Sequence, residues 1–428
     1  MELRRDVGLW GAVLMGLGSI VGTGVFVSIG LGAAIAGPAV LLAIALAALV
    51  ATANGLSSAQ LAASHPVSGG AYEYGYKYLN PTLGFTAGWV FLLAKSASAA
   101  TAALGFGGYF LNLFGVTDPR LRTAVALAAL VVLTVITLGG IRRSNRTNTV
   151  IVALTLTALT FFVVAGLPQA LASAAANFTP FLAPGDGAEP LQALLHATAL
   201  MFVAYTGYGR IATLGEEVSD PQRTIPRAII VTLIVSAALY VAVGFVAVGV
   251  AGAPQFAELT AATAAPLEAI AQGYGIPGGG LLLAVGAMTA MLGVLLNLIL
   301  GLSRVLLAMG RRGDMPAATA RIDPGSATPR VAVVVMAAAI GLLVLLGSVR
   351  LTWSFSAFTV LVYYAINNLA ALHLPREQRL FPAWIAWAGL AACLFLAFWV
   401  EVAVWVAGVA IIGAGLAARW AFTRRRQV

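Results

Sequence analysis

Charge is what this sequence has least of. Only 9% of its 428 residues are Asp, Glu, Lys or Arg, against about 25% in an average soluble domain, and with 61% hydrophobic residues that excludes an ordinary soluble enzyme. Cysteine is nearly absent. The lone Cys393 can form no internal disulfide, which removes the stapled secreted scaffold, and inside an apolar run it reads as a small buried hydrophobe. The three histidines, His65, His196 and His373, are isolated in sequence; without a spacing such as H-E-x-x-H they point to no metal centre. Acidic residues number 15 against 24 basic ones, a net charge of +9. In a soluble chain that excess would suggest nucleic acid; in a membrane chain the placement of the charges matters more than their sum.

What is abundant is apolar length. Mean hydropathy is +0.96, the 47 glycines suit membrane helices, and no Asp, Glu, Lys or Arg occurs between Val7 and Tyr72. About 20 apolar residues cross a hydrocarbon core. The charge-poor stretches read as twelve helices over about 7–32, 38–63, 84–112, 121–141, 147–168, 190–213, 226–252, 277–309, 330–348, 351–373, 381–399 and 402–420. The runs are apolar all round, which rules out a β-barrel's alternation. The N-terminal run is too long for a signal peptide and no clean A-x-A site follows, so it reads as the first span. With both termini cytoplasmic, 20 of the 24 basic residues fall inside, as the positive-inside rule requires. The expected setting is the cytoplasmic membrane, with basic ends touching anionic lipid heads and no nucleic acid.

Two spans are interrupted. Gly16, Gly18, Gly22 and Gly24 crowd nine residues of the first, and Tyr205-Thr206-Gly207-Tyr208-Gly209 weakens the sixth. Such segments invite unwinding, which exposes amides for a carboxylate and carbonyls for an ammonium. The alternative is that the glycines serve close helix packing. Helices one and six are corresponding members of two five-helix halves, the arrangement expected of an inverted repeat with a midplane site. The halves are 1–168 and 190–373, with 381–420 outside them.

At these residues the chain resembles a known family. Gly22-Thr23-Gly24-Val25-Phe26 is similar to the G-[ST]-G-[IV]-F signature of the amino acid-polyamine-organocation superfamily. Pro66-Val67-Ser68-Gly69-Gly70-Ala71-Tyr72 resembles its loop between helices two and three, and residues 216–229 the loop between six and seven. Ser303-Arg304, Met309 and Thr328-Pro329 resemble the passage from helix eight to nine. The likeness covers roughly residues 7–400, and is nearest to bacterial relatives of the cationic and light-subunit mammalian transporters.

The resemblance implies an all-α integral membrane protein of twelve helices, a five-plus-five inverted-repeat core with broken helices 1 and 6, and alternating access around one amino acid. It implies that the substrate carboxylate meets the amides of Gly22, Thr23 and Gly24, with the Thr23 hydroxyl also able to donate. The α-amino group would meet carbonyls of Ile20 and of Val203, Ala204, Tyr205 and Thr206, beside Gly207. Side-chain selectivity would fall to Val203, Thr206 and Gly209, to Phe91, Leu92 and Ser96, and to the region of Met291.

Three departures from the family pattern carry information. Val203 stands where many relatives have an aromatic gate, with Phe202 and Tyr205 beside it. Gly209 stands where several relatives of cationic substrates have an acid, so a charged substrate side chain would lack a partner and neutral substrates are favoured. Proton-linked relatives have a lysine in helix five that aligns near Thr155. In place of that lysine there is Lys95, about 16 Å along helix three from Gly84 at ~1.5 Å per residue, where an ammonium costs about 2.5–3.5 kcal/mol. A coupling role is the functional reading, and a structural lysine capping broken-helix carbonyls is the bland one. Sodium coupling would lean on Thr289, which stands alone in its stretch, and exchange without an ion remains open. No cofactor or obligatory protein partner is implied. Glu216 and Glu217 read either as an inner latch or as solvated loop charges. No nucleophile, carboxylate pair or metal set suggests an enzyme, and no filter sequence or charged ring suggests a channel.

Overall fold

The computed structural model describes residues 7–66, 69–140, 145–185, 187–212, 218–323 and 328–425. The first span is broken as its glycines predict: α1 (Leu9–Ile20) ends in extended backbone at Val21 (φ −81°, ψ 95°), a π-helical turn runs over Gly24–Ser28, and α2 (Ile29–Ala36) follows. Gly37-Pro38 then forms a 3-10 turn into α3 (Val40–Ser64). After a short α4 (Ala71–Tyr78) come α5 (Pro81–Asn112), α6 (Pro119–Leu138) and α7 (Asn145–Asn177). The chain continues with α8 (Pro190–Tyr205), which tightens into a 3-10 turn at Thr206–Tyr208 before α9 (Gly209–Ala212). Then follow α10 (Pro221–Ala251), α11 (Ala253–Thr263), α12 (Pro266–Gln272), α13 (Gly279–Arg312), α14 (Arg330–Val344), α15 (Val349–Leu372), α16 (Ala383–Ala397) and α17 (Val402–Arg425).

By length and composition, eight helical segments among the described residues can cross a membrane, and α1, α14 and α16 are shorter apolar helices. Several starts are set by local chemistry. Asn80 accepts from the Leu83 amide (2.9 Å) and Asp118 from Arg120 (2.7 Å), each just before a proline at the first helical position, where its missing N–H costs nothing.

The structure corrects some boundaries. The fifth span does not stop at Pro168 but continues to Asn177, and the seventh begins at Pro221 with Pro226 inside it; membrane helices tolerate such prolines because neighbours satisfy the freed carbonyls. Polar α4 and the pair α11–α12 lay in stretches read as connections.

α5 lies at the centre, packed on α13, α15, α4 and α6, while α3 packs on α10 and α8. Two helices are largely exposed, α6 and α17, so α6 is as peripheral as the last helix. The first and sixth spans meet in the middle. Val7 also bridges Val218, with the Ser219 amide donating to the Val7 carbonyl (3.0 Å).

Candidate functional site

The two breaks face each other. At the first, α1's last bond is from Val21 to Leu17, and the next bonded amides are those of Val25 and Phe26, both on the Gly22 carbonyl. The amides of Gly22, Thr23 and Gly24 therefore come before a new ladder begins, where helix N–H groups have no intrahelical partner. The Thr23 hydroxyl is buried and has no partner among the described residues. At the second break, Gly207 sits directly on the backbone of Ser19 and Ile20; a Cβ there would lie 2.6 Å from the Ile20 nitrogen and closer still to the Ser19 carbonyl. Gly24 is likewise pressed on Ala204, whose Cα is 3.0 Å from a built Cβ. Only glycine permits these approaches.

Tyr240 of α10 braces both breaks. Its buried hydroxyl donates to the Ile20 carbonyl (2.8 Å) and shares that proton with the Ala204 carbonyl (3.1 Å). Tyr364 of α15 donates to the Thr206 carbonyl (3.3 Å), and the Thr206 hydroxyl donates to the Val203 carbonyl (2.8 Å) while accepting from Lys95 Nζ (2.9 Å). Lys95 is 9% exposed.

Between the breaks and α5, α13 and α15 lies a cavity of about 220 Å³. Ile20, Thr23, Gly24, Val203, Ala204 and Thr206 form one side. Phe91, Lys95 and Ser98 face them from α5, Asn297 and Gly301 from α13, and Trp353 and Tyr364 from α15. The cavity extends to Gly69, Gly70, Arg210, Arg304 and Ala308, at the same end of the bundle. The charged side chains on its wall are Lys95, Arg210 and Arg304, and among the described residues no acid lines it. A small mixed cavity between two opened helices offers donors and acceptors for a zwitterion, with apolar walls for the rest of it.

The sequence model of the family described as "Amino acid permease" matches residues 11–421. The chain belongs to the amino acid permease family. It is similar to an uncharacterized transporter of Mycobacterium tuberculosis, 40% identical over 99% of this chain and 93% of that one. It is also similar to the branched-chain amino acid permease BcaP of Bacillus subtilis, 30% identical over 77% of this chain and 72% of the relative. The chloroplastic cationic amino acid transporter 9 of Arabidopsis thaliana is 29% identical over 76% of this chain and 58% of its own. The permease is thus a multi-pass membrane transporter and not an enzyme.

Of the residues expected at the permease's site, Ile20, Thr23, Gly24, Lys95, Val203, Ala204, Thr206, Gly207 and Gly209 line the cavity, with Phe91. Six others do not. Gly22 faces Val294, 2.8 Å from a built Cβ. Phe202 packs edge-on against Tyr364 (5.6 Å), and Tyr205 lies tilted against Tyr240 (5.1 Å) while donating to the Ile44 carbonyl (3.3 Å), so neither stands beside Val203 as a gate. Ser96 is buried one residue round the helix from Lys95, its hydroxyl unpartnered among the described residues. Met291 fills the space left by Gly105, and the Thr155 hydroxyl is tied to its own helix at Ile151 (2.7 Å). Leu92 is buried outside the wall. Glu216 and Glu217 lie outside the described residues.

Ser98, Asn297, Gly301, Trp353 and Tyr364 were not anticipated. Stepping three or four residues from Lys95 along a helix reaches Phe91 and Ser98, and that signal was available. Trp353 and Tyr364 carry none, because α15 reaches the site only through packing on α5 and α8.

A second cluster holds the arginine-rich end of the molecule together. Asp314, just beyond α13, accepts from Tyr72 (2.9 Å), Tyr76 (2.5 Å) and Arg419 of α17 (3.0 Å), and Arg312 pairs with Glu73 (2.6 Å). Burial pushes the Tyr72 and Tyr76 phenols up, so they remain donors. The cluster pins α4 to the end of α13, and Gly69 and Gly70 at the start of α4 form part of the cavity's rim.

Tyr240→Phe removes a donor from two carbonyls at once. The loss is expected to be about 1–3 kcal/mol, read as a roughly ten-fold fall in initial uptake with the fold intact by size-exclusion profile. Wild-type uptake would show that the brace does not hold the breaks.

Proposed function

We propose that the permease is a secondary transporter carrying neutral L-amino acids across the cytoplasmic membrane by alternating access. The observation that carries this reading is the pair of abutting helix breaks over a cavity with an unpartnered Thr23 hydroxyl and no acid on its described wall. The carboxylate rests on the amides of Gly22, Thr23 and Gly24, and the α-amino group on the carbonyls of Ile20 and Ala204. No acid on the described wall pairs with a cationic side chain, which speaks against arginine and polyamines. The relative named as a branched-chain permease supports a neutral substrate.

In this reading α1 with α2 forms span one and α8 with α9 span six. Counting α3, α5, α6, α7, α10, α13, α14, α15, α16 and α17 gives twelve, in halves 1–168 and 190–373 with 381–420 outside. Positive-inside placement puts the cavity mouth, with Arg210 and Arg304, in the cytoplasm, so the conformation is inward-facing and basic ends meet anionic lipid heads. No further protein is required. Lys95 is the coupling group, since Thr155 holds no ionisable side chain.

Counterflow in proteoliposomes with a panel of amino acids and amines, repeated with proton and sodium gradients, tests the reading. Neutral L-amino acids are expected to exchange, and Lys95→Ala to lower uptake and flatten its pH dependence. Exchange of amines alone would refute the substrate class; an unchanged pH profile in the variant would refute the coupling role.

A further inference from the structure

Lys95 has more donors than the protein uses. An ammonium carries three N–H groups, and the one bond recorded for it is to Thr206 Oγ1; no ion pair among the described residues involves it. Facing it is empty space. Gly105 abuts Met291 and Gly88 abuts Met309, so α5 and α13 run antiparallel in a register that sets Lys95 opposite Gly301. A Cβ built on Gly301 meets nothing within 4 Å. One turn away, the Asn297 side chain also lines the cavity, and no hydrogen bond to it is recorded among the described residues. Two spare ammonium donors, a spare amide and a glycine-made gap thus share one compartment.

We propose that Lys95, Asn297 and Gly301 form the subsite for the substrate's side chain, and that it selects side chains ending in a carbonyl oxygen, a carboxamide or a carboxylate. The inference rests on the amino acid transport reading and names the substrate chemistry of that site. The gap admits a side chain of several heavy atoms, and the ammonium bonds an oxygen that an aliphatic chain lacks. A buried donor left unmatched by an apolar substrate makes the discrimination large.

Equilibrium competition on the purified full-length permease tests this with L-glutamine, L-glutamate, L-leucine and L-norleucine as probes. One of the two oxygen-bearing side chains is expected to compete at least about ten-fold better than the aliphatic pair; glutamine keeps the substrate neutral, whereas glutamate would revise the neutral reading and leave this subsite standing. Lys95→Met is expected to bring that ratio close to one. Should Lys95→Met not be recovered folded, Gly301→Leu is expected to weaken glutamine or glutamate relative to L-alanine by a similar factor. Preference for leucine, or an oxygen-to-aliphatic ratio unchanged in Lys95→Met, overturns the subsite. Failure of every amino acid to compete would instead overturn the transport reading beneath it.

Discussion

Gly207→Ala is expected to abolish transport, with initial uptake at least about 100-fold below wild type. The added methyl would land on the Ser19 carbonyl and 2.6 Å from the Ile20 nitrogen. Those are backbone atoms, so no rotamer change relieves the contact. Overpacking costs about 1–3 kcal/mol where side chains can shift and more where they cannot, and here relief requires driving the two helix breaks apart. That separation pulls the Ile20 and Ala204 carbonyls from their shared Tyr240 hydroxyl. Gly413→Ala is the control, because nothing lies within 4 Å of a Cβ at that exposed position on α17. Uptake in proteoliposomes, with a size-exclusion profile to show that the variant folds, checks the result. Wild-type uptake by Gly207→Ala would mean that the breaks do not touch in the working protein.

Arg419→Met is expected to destabilise the permease by about 3 kcal/mol, the lower end for stripping one partner from a buried charge pair. Asp314 and Arg419 keep side-chain exposures of only 6% and 15%, so solvent screens the pair weakly. The two tyrosines would still donate to Asp314, which is why the loss is not larger. A lowered apparent Tm in detergent is the readout. Combining Arg419→Met with Asp314→Asn should recover much of the loss, since the stranded charge goes with its partner. If the double variant instead falls by the sum of the two single effects, the pair is not coupled.

Helix breaks were the most legible part of the site. Glycine's backbone freedom acts locally, so Gly22, Thr23 and Gly24 could be placed at an unwound segment from their own neighbours alone, and Lys95 stood out because an ammonium in an apolar run needs a reason. The errors were of facing. Phe202 and Ser96 each sit one residue from a lining position, Val203 and Lys95, and one step on a helix turns a side chain by about 100°. Without a partner helix to define inside, adjacent residues could not be told apart. Polar α4 was equally hidden, since its tyrosines and Glu73 make sense only once Asp314, Arg312 and Arg419 from distant parts of the chain are beside them.

Composition and local pattern alone determined a helical membrane protein and the two weak points in its helices, because each follows from solvent transfer or backbone conformation over a short window; the family was legible only through the resemblance of short motifs. Which side chains share the cavity was decided by tertiary structure. Trp353, Tyr364, Asn297 and Gly301 reach it from two separate helices, and the rotation and register of those helices are set by packing between residues far apart in the chain.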